Sequence, residues 1–205
     1  MTEHPSSRKR PYHHGDLRNA LFQISMDLLT TEGLAAFGLR EVARRAGVSI
    51  SAIYRHFPDR EALLAELAAE GFRMLIRAHA ESGELEEPDA VKAIEQSGLV
   101  YLQFADQHPH LLKVMFGEVL ARHQSFPQVA QLSMEAFAQL ETLILRGQQQ
   151  GVFRDGPVGE KALMCWGMVH GMAQIRMEGI VLPGVERSSL EDLARMVSDQ
   201  LVEGL

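Results

Sequence analysis

The sequence predicts an all-α fold of about nine helices, in which a small three-helix head precedes a larger helical body. Apolar residues recur at helical spacing along most of the chain, and glycine or proline stands between successive runs. No segment has the alternating pattern of a half-buried strand. Because 46% of the residues are hydrophobic and 23% are charged, the composition is that of a folded globular protein.

The first helix is predicted to follow a polar N-terminal arm, residues 1–14. Asp16 can cap this helix, because its carboxylate can accept hydrogen bonds from the free amides of a first turn. The apolar face consists of Leu17, Leu21, Ile24 and Leu28. Gly33 stands where the helix should end, since glycine readily takes the left-handed conformation found there.

Two short helices come next, joined by a turn of about three residues. The first is predicted over residues 39–46 and ends at Gly47. The second is predicted over residues 49–57, where Ser49 can cap its start and Pro58 prevents its extension. Two short helices joined by a tight turn that contains glycine form the helix-turn-helix arrangement. Residues 49–57 would then be its recognition helix.

The remaining helices are predicted to build the body. The fourth helix begins after Asp59, runs to about residue 80 and connects the head to the body. After an acidic loop over residues 82–88, further helices are predicted at about residues 89–107, 110–121, 127–150, 158–180 and 189–203. The breaks fall at His108-Pro109, Phe126-Pro127, residues 151–157 and Pro183-Gly184.

Charge is distributed unevenly along the chain. The net charge is -7, but residues 1–60 carry nine Lys/Arg and six Asp/Glu, a balance of +3, and the other 145 residues carry -10. This polarity fits either a head that binds nucleic acid or an unevenly charged solvated surface. The single cysteine, Cys165, cannot form an internal disulfide, and no apolar run reaches the roughly 18 residues of a membrane span. We therefore expect a cytoplasmic protein with no membrane partner.

Residues 39–64 resemble the DNA-binding signature of the TetR family of transcriptional regulators; they read LREVARRAGVSISAIYRHFPDREALL. The resemblance extends over about residues 16–64. It implies a nine-helix subunit that dimerises through its last two long helices and binds a small effector in its body. The implied partners are double-stranded DNA with an inverted-repeat operator, an effector of unknown identity and a second copy of the chain. The implied function is repression that the effector relieves.

The resemblance also divides the chain into domains. A flexible basic arm covers residues 1–14, and the helix-turn-helix DNA-binding domain covers residues 15–60. The ligand-binding and dimerisation domain covers residues 61–205.

The predicted DNA contacts combine the resemblance with the geometry of the recognition helix. They are Arg8, Lys9, Arg10, Arg40, Ser49, Ile50, Ser51, Tyr54, Arg55, His56 and Arg60. Ser51 and Arg55 fall on the exposed side and are expected to contact bases, since arginine can donate two hydrogen bonds to guanine. Tyr54 and His56 match family positions that bond phosphates, and Arg60 matches a family lysine that does so. The basic residues at positions 8–10 are expected to reach the minor groove.

Gly38 departs from the family pattern. The family usually has threonine or serine where the second helix begins, and a glycine there supplies no hydroxyl. Glycine can still occupy an N-cap position and leaves its amide free. We expect the helix to form with one phosphate contact fewer, for which Arg40 could compensate.

Aromatic and methionine side chains of the body are predicted to form an adaptable apolar pocket. The expected lining residues are Tyr101, Phe104, Met115, Phe116, Met134, Phe137, Trp166 and His170. Residues 166–171 are also similar to the Trp-x3-His-Gly element of one TetR-type C-terminal domain. His170 could either bond a ligand or have a partner within the protein, and the sequence leaves both open.

The last two helices are predicted to form the dimer interface. Gly167 and Gly171 lie four residues apart on one helical face, where another helix can approach closely. The last helix contributes an apolar stripe of Leu190, Leu193, Val197 and Leu201. Alternatively, the glycines could pack within one subunit.

Two other classes of protein can be compared with a DNA-binding regulator. An enzyme would need a nucleophile with its base, a phosphate loop or a metal cluster. The histidines at positions 13, 14, 108, 110 and 123 lack the spacing of a zinc site, and Cys165 and His170 fall on different sides of a helix. We therefore expect no catalytic residue, metal or cofactor. A helical small-molecule-binding or interaction protein without sequence-specific DNA binding is the alternative.

Overall fold

The computed structural model describes residues 17–117, 125–180 and 188–203. Within these ranges the protein is all α-helical and has no strand, which confirms the predicted fold class. The helices of the described ranges are α1 (Leu17–Ala36), α2 (Leu39–Ala46), α3 (Ile50–Tyr54), α4 (Arg60–Ser82), α5 (Ala90–Gln107), α6 (Pro109–Met115), α7 (Pro127–Gln149), α8 (Val158–Met177) and α9 (Leu190–Glu203). None of these helices combines the length and apolar character needed to cross a membrane.

The chain divides into two compact units, Met1–Leu63 and Leu64–Leu205, which we call the head and the body. The head contains α1, α2, α3 and the first residues of α4. Its fully buried apolar side chains include Leu21, Leu28, Leu29, Val42, Ile53 and Phe57. They come from one face of each helix, so removing these faces from water stabilises the three-helix arrangement.

Two glycines shape the first helices of the head. Gly33 interrupts α1 with a φ of 76°, and the helix resumes for about one turn beyond it. The predicted helix end is therefore a kink within α1. Gly47 ends α2 with a φ of 67°, and its amide donates to the carbonyl of Arg44 at 3.3 Å. Both φ values lie in the left-handed region that favours glycine.

The recognition helix is shorter than the predicted helix over residues 49–57. It comprises only α3, Ile50–Tyr54. A turn follows, closed by the amide of Phe57, which donates to the carbonyl of Ile53 at 2.9 Å. The helix does not continue because Phe57 precedes Pro58, and the residue before proline disfavours helical dihedral angles.

In the body, α5 contacts α6, α7, α8 and α9. Its Gly98 permits close packing on α9, since a Cβ at this position would lie 3.4 Å from the Cβ of Ala194. Ser198 of α9 also donates a hydrogen bond to Glu95 of α5 at 3.2 Å. The last helix is thus anchored on α5 of its own chain.

Side chains of α7 fix the loop between α4 and α5. Arg146 donates to the carbonyl of Leu85 at 2.7 Å and to that of Glu84 at 3.1 Å. Gln150 donates to the carbonyl of Pro88 at 2.7 Å. These bonds hold the side chain of Glu84 inside the body, where the residue is only 1% exposed.

Several helix ends differ from the prediction. α4 runs to Ser82 instead of residue 80, and α6 ends at Met115 instead of residue 121. α8 ends at Met177 instead of residue 180, because Gly179 takes a φ of 65° and stops the helix. The arm at residues 1–14, Asp16 and the break at Pro183-Gly184 lie outside the described residues.

Candidate DNA-binding face and ligand cavity

α3 and the turn after it have a buried side and an exposed side. Ile53 and Phe57 are fully buried in the head, as the sequence predicted. The residues that remain exposed or half-buried are Ser49, Ile50, Ser51, Tyr54, Arg55 and His56. Tyr54 is 54% exposed, although a large aromatic side chain would gain free energy from burial. This face therefore offers a hydroxyl, a phenol, an imidazole and a guanidinium to a partner.

Ser49 has a structural role in this segment. Its Oγ accepts a hydrogen bond from the amide of Ala52 at 3.3 Å and so caps the N-terminus of α3. A cap of this kind satisfies an amide that has no carbonyl partner within the helix. The predicted contact of Ser49 with DNA stays a prediction.

The arginines of α2 differ in whether they are paired within the head. Arg44 and Arg45 donate to Glu41 through their Nε atoms at 2.8 and 2.9 Å. Hydrogen bonds from Arg44 and then Arg45 lower the pKa of Glu41 to about 2. Arg40, by contrast, is exposed and forms no hydrogen bond or ion pair with another described residue. Its charge is available to an anionic partner such as a phosphate.

Gly38 begins α2 in an extended conformation, with a φ of -166° and no side-chain cap. The helix thus forms without a capping hydroxyl, and the loss of one phosphate contact stays a prediction. A Cβ at this position would have no heavy atom within 4 Å, so the head has room for a serine or threonine here.

Arg60 has a role that the sequence did not indicate. Its Nε donates to the carbonyl of Phe37 at 3.2 Å, and its Nη2 donates to that of Leu34 at 3.4 Å. The guanidinium also lies 5.7 Å from the centroid of the Phe37 ring. Arg60 thus joins α4 to the turn between α1 and α2. Its phosphate contact stays a prediction, and Arg8, Lys9 and Arg10 lie outside the described residues.

The body contains a cavity of about 550 Å³ that is partly open to solvent. Its described wall is mostly apolar and comes from α4, α5, α7, α8 and α9 together with Glu84, which follows α4, and Phe116, which follows α6. Five of the eight residues predicted for the pocket line it: Tyr101, Phe116, Met134, Phe137 and Trp166. This volume is within the roughly 300–1,000 Å³ of small-molecule sites.

Three residues predicted for the pocket are not among the described lining residues. Met115 is fully buried beneath Gly71, where a Cβ would lie 2.5 Å from its sulfur. Phe104 is 5% exposed and packs on His108, with 4.9 Å between ring centroids. Both therefore belong to the core. The prediction placed them in the pocket because helical spacing identifies an inward face but does not show where a cavity opens on it.

His170, the third of these residues, has a partner within the protein. Its Nδ1 lies 2.6 Å from the hydroxyl of Tyr101. The centroid of its ring lies 4.9 Å from that of the Phe116 ring and 5.3 Å from that of the Trp166 ring. Burial lowers the pKa of His170 and raises that of Tyr101. Both groups are therefore uncharged at neutral pH, and together they orient the aromatic end of the cavity.

The cavity wall also includes polar groups that sequence analysis missed. The Nδ1 atom of His79 lies 3.0 Å from both carboxylate oxygens of Glu84, and Ser82 donates to the same carboxylate at 3.2 Å. On α7, Gln139 has a buried Oε1 that accepts no hydrogen bond within the described structure. Glu141, two residues further along α7, also lines the cavity. The acidic loop gave no signal of burial, because Arg146, which fixes it, comes some sixty residues later.

Cys165 lines the cavity and is 4% exposed. Burial raises the pKa of its thiol to about 12, so the thiol stays protonated at neutral pH. A protonated thiol is a poor nucleophile. No group of three or more His, Cys, Asp or Glu residues suited to a metal ion occurs in the ranges that the structure describes.

The apolar stripe of α9 faces its own subunit, which corrects part of the predicted dimer interface. Leu193, Val197 and Leu201 are 8%, 1% and 1% exposed in the single chain. They are buried where α9 packs on α5 and α8. Leu190, at the start of the stripe, is half-buried. Periodicity identified the stripe correctly, but it could not show which helix would cover it.

The glycines of α8 lie on a different kind of surface. A Cβ at Gly167 or Gly171 would have no heavy atom within 4 Å, so this face is open in the single chain. Two apolar side chains share it, Met164 with 44% exposure and Ile175 with 37%. The alternative in which both glycines pack within one subunit therefore has no support in the described residues.

The helix-turn-helix with its exposed face places the protein in the class of helix-turn-helix DNA-binding proteins. Residues 23–67 match the family of bacterial regulatory proteins of the tetR type, and residues 94–201 match the tetracyclin repressor-like C-terminal domain. The second match alone covers more than half of the chain. The protein belongs to the TetR family of transcriptional regulators, whose members bind DNA operators, form dimers and are not enzymes. A signature role for residues 166–171 stays a prediction.

Individual proteins resemble this chain in sequence or share its fold. The chain is 23% identical over 194 residues to YerO of Bacillus subtilis, described as an uncharacterized HTH-type transcriptional regulator; the match spans 92% of this chain and 65% of YerO, just under two thirds. A structure of a protein with unknown function from Rhodococcus sp. RHA1 has 29% identity, a TM-score of 0.79 and coverage of 95% and 98%. The TetR family regulator PfmR from Thermus thermophilus shares the fold, with 22% identity, a TM-score of 0.67 and coverage of 90% and 98%.

Proposed function

We propose that this protein is a dimeric repressor that binds an inverted-repeat operator through α3 and is released when a small molecule occupies the body cavity. The exposed face of α3 carries the proposal. Ser51 and Arg55 on this face suit base edges in the major groove, and Tyr54 suits a phosphate. A regulator of this kind works in the cytoplasm, where its DNA lies.

Dimerisation is supported by the open face of α8. Gly167 and Gly171 allow a second helix to approach closely. The side chains of Met164 and Ile175 expose apolar surface to water, and a second subunit on this face would bury it. A two-fold axis through this face would present two identical heads to one duplex. The two recognition helices would then read half-sites spaced about 34 Å apart or a multiple of this.

Effector release follows from differential binding. A ligand can shift the protein away from DNA only if its affinity for the free dimer exceeds its affinity for the DNA-bound dimer. The cavity is large enough to supply such binding free energy, since its apolar wall can bury most of a small molecule.

Selection of bound sites from a random DNA pool tests the proposed function. We expect enrichment of one inverted repeat whose two halves are equal in sequence and fixed in spacing. Enrichment of no sequence, or of a single unpaired half-site, would contradict the proposal. The first of these results would favour a helical ligand-binding or interaction protein.

A further inference from the structure

The chemistry of the cavity restricts the ligand it can hold, provided that the effector binds there as proposed above. Most of the wall is apolar, and the aromatic rings of Phe116 and Trp166 pack at 5.4 Å between centroids within it. The ligand therefore needs a flexible or aromatic hydrocarbon part that fills the cavity. The polar groups of the wall then decide what head group this part carries.

Gln139 lines the cavity, but its amide oxygen is out of reach of a ligand. Its Oε1 is buried and accepts no hydrogen bond from any described residue, although Gln139 lines the cavity. Because neighbouring atoms cover this oxygen, a molecule in the cavity cannot reach it with a donor. The amide oxygen of Gln139 therefore does not select the ligand.

Glu141, two residues further along α7, supplies the polar group that can select a ligand. Its carboxylate lies close to α8, since a Cβ at Gly159 would be 3.2 Å from its Oε1. It lines the cavity and forms no ion pair or hydrogen bond with another residue that the structure describes. Glu84 differs, because its carboxylate is already bonded by His79 and Ser82. Glu141 is therefore the carboxylate with acceptor capacity left for a ligand.

Among the described residues of the same wall, His79 can carry a positive charge, but its Nδ1 already faces the carboxylate of Glu84. No lysine or arginine occurs among the described residues that line the cavity. A ligand carboxylate would lose its hydration there without a cationic partner and would lie near Glu141, so its burial is unfavourable. An ammonium group, by contrast, can donate a charge-assisted hydrogen bond to the Glu141 carboxylate.

We propose that the cavity binds an amphipathic amine, with its ammonium group bonded to the Glu141 carboxylate and its apolar part against Phe116 and Trp166. The inference concerns ligand class and rests on the proposed function only for the link to DNA release. Trp166 is the single tryptophan of the chain and lines this cavity, so its fluorescence reports occupancy directly.

The test compares three probes that share an eight-carbon chain: octylamine, octanol and octanoate. We expect octylamine to quench or shift Trp166 fluorescence with at least about tenfold higher affinity than either of the others, as hydrogen bonds to charged groups predict. In Glu141→Gln, the advantage of octylamine over octanol should fall by about tenfold while octanol binding stays unchanged. Glu135→Gln is the matched control, since Glu135 is exposed on the same helix and does not line the cavity.

Three results would overturn the proposal: octanoate binding as tightly as octylamine, no saturable binding of octylamine, or equal losses for amine and alcohol in Glu141→Gln. DNA binding is measured separately with the same probes. Saturable octylamine binding that leaves DNA affinity unchanged would support the ligand class and contradict effector release. Release of DNA by octanoate, together with weak binding of octylamine, would support effector release and contradict the ligand class.

Discussion

At the scale of single residues, neighbouring side chains in and beside α3 have different tasks. Tyr54 carries a hydroxyl on an exposed ring, and Arg55 carries five donors in a planar fork. A hydroxyl on a phosphate positions the head but reads no sequence, whereas a fork on a guanine reads one base pair. The two substitutions below should therefore have different effects on affinity and specificity.

Tyr54→Phe should weaken all operator variants by a similar factor, because the lost hydroxyl contacted only the backbone. Arg55→Ala should relax the preference at one base position in each half-site, at a cost of about 1–3 kcal/mol. Affinities for a panel of single-base operator variants check both. An unchanged base preference in Arg55→Ala would reassign Arg55 to the phosphate backbone.

Arg60 illustrates a residue whose role depends on contacts far apart in the chain. It donates to the carbonyls of Leu34 and Phe37, so it holds the turn before α2. Arg60→Gln should lower the stability of the protein by about 0.5–1.5 kcal/mol, the net value of such bonds. Thermal unfolding measures this change. Arg40→Gln is the control, since Arg40 has no partner among the described residues, and an equal loss in both variants would contradict the structural role.

At the scale of elements, the turn between α2 and α3 depends on one backbone conformation. Gly47 has a φ of 67°, which an L-residue with a Cβ adopts at a cost of roughly 1–2 kcal/mol. Gly47→Ala should lower the free energy of unfolding by about 1 kcal/mol, since alanine also reduces the entropy of the unfolded chain. Urea unfolding gives this value.

Gly38→Ala is the matched control for that turn. Gly38 is extended and has open space around its Cα, so alanine fits there without strain. Its unfolding free energy should stay within about 0.5 kcal/mol of that of the unsubstituted protein, because alanine makes a poorer N-cap but also lowers the entropy of the unfolded chain. Similar losses at both positions would show that the left-handed conformation of Gly47 is not the cause.

Sequence pattern predicted the elements better than their surroundings. Gly47, Pro58 and Pro109 stop or start helices through their own backbone chemistry, so the order and approximate length of the helices could be predicted. The burial of Glu84 could not be predicted, because it depends on Arg146 of α7. The helices that cover the apolar stripe of α9 could not be predicted either, since an apolar face can pack equally well on its own subunit or on a second one.

At the scale of the whole molecule, the open face of α8 determines the expected assembly. Gly171→Arg places bulk and charge where the single chain has free space, so each subunit should fold normally. A second subunit on this face would be displaced, and sedimentation should then show monomers with weakened operator binding. Gln103→Arg adds the same group at an exposed position of α5 and should stay dimeric. A folded, fully dimeric Gly171→Arg variant would exclude this interface.

The central claim is that the head of this dimer binds DNA through phosphate and base contacts, and its salt dependence tests that claim most directly. The measurement is the affinity for the selected inverted repeat, taken by fluorescence anisotropy over a series of salt concentrations. If about six to ten phosphates are contacted, affinity should fall by roughly a thousandfold or more between about 50 and 200 mM salt. An affinity that hardly changes over this range would contradict binding through a basic helix-turn-helix head.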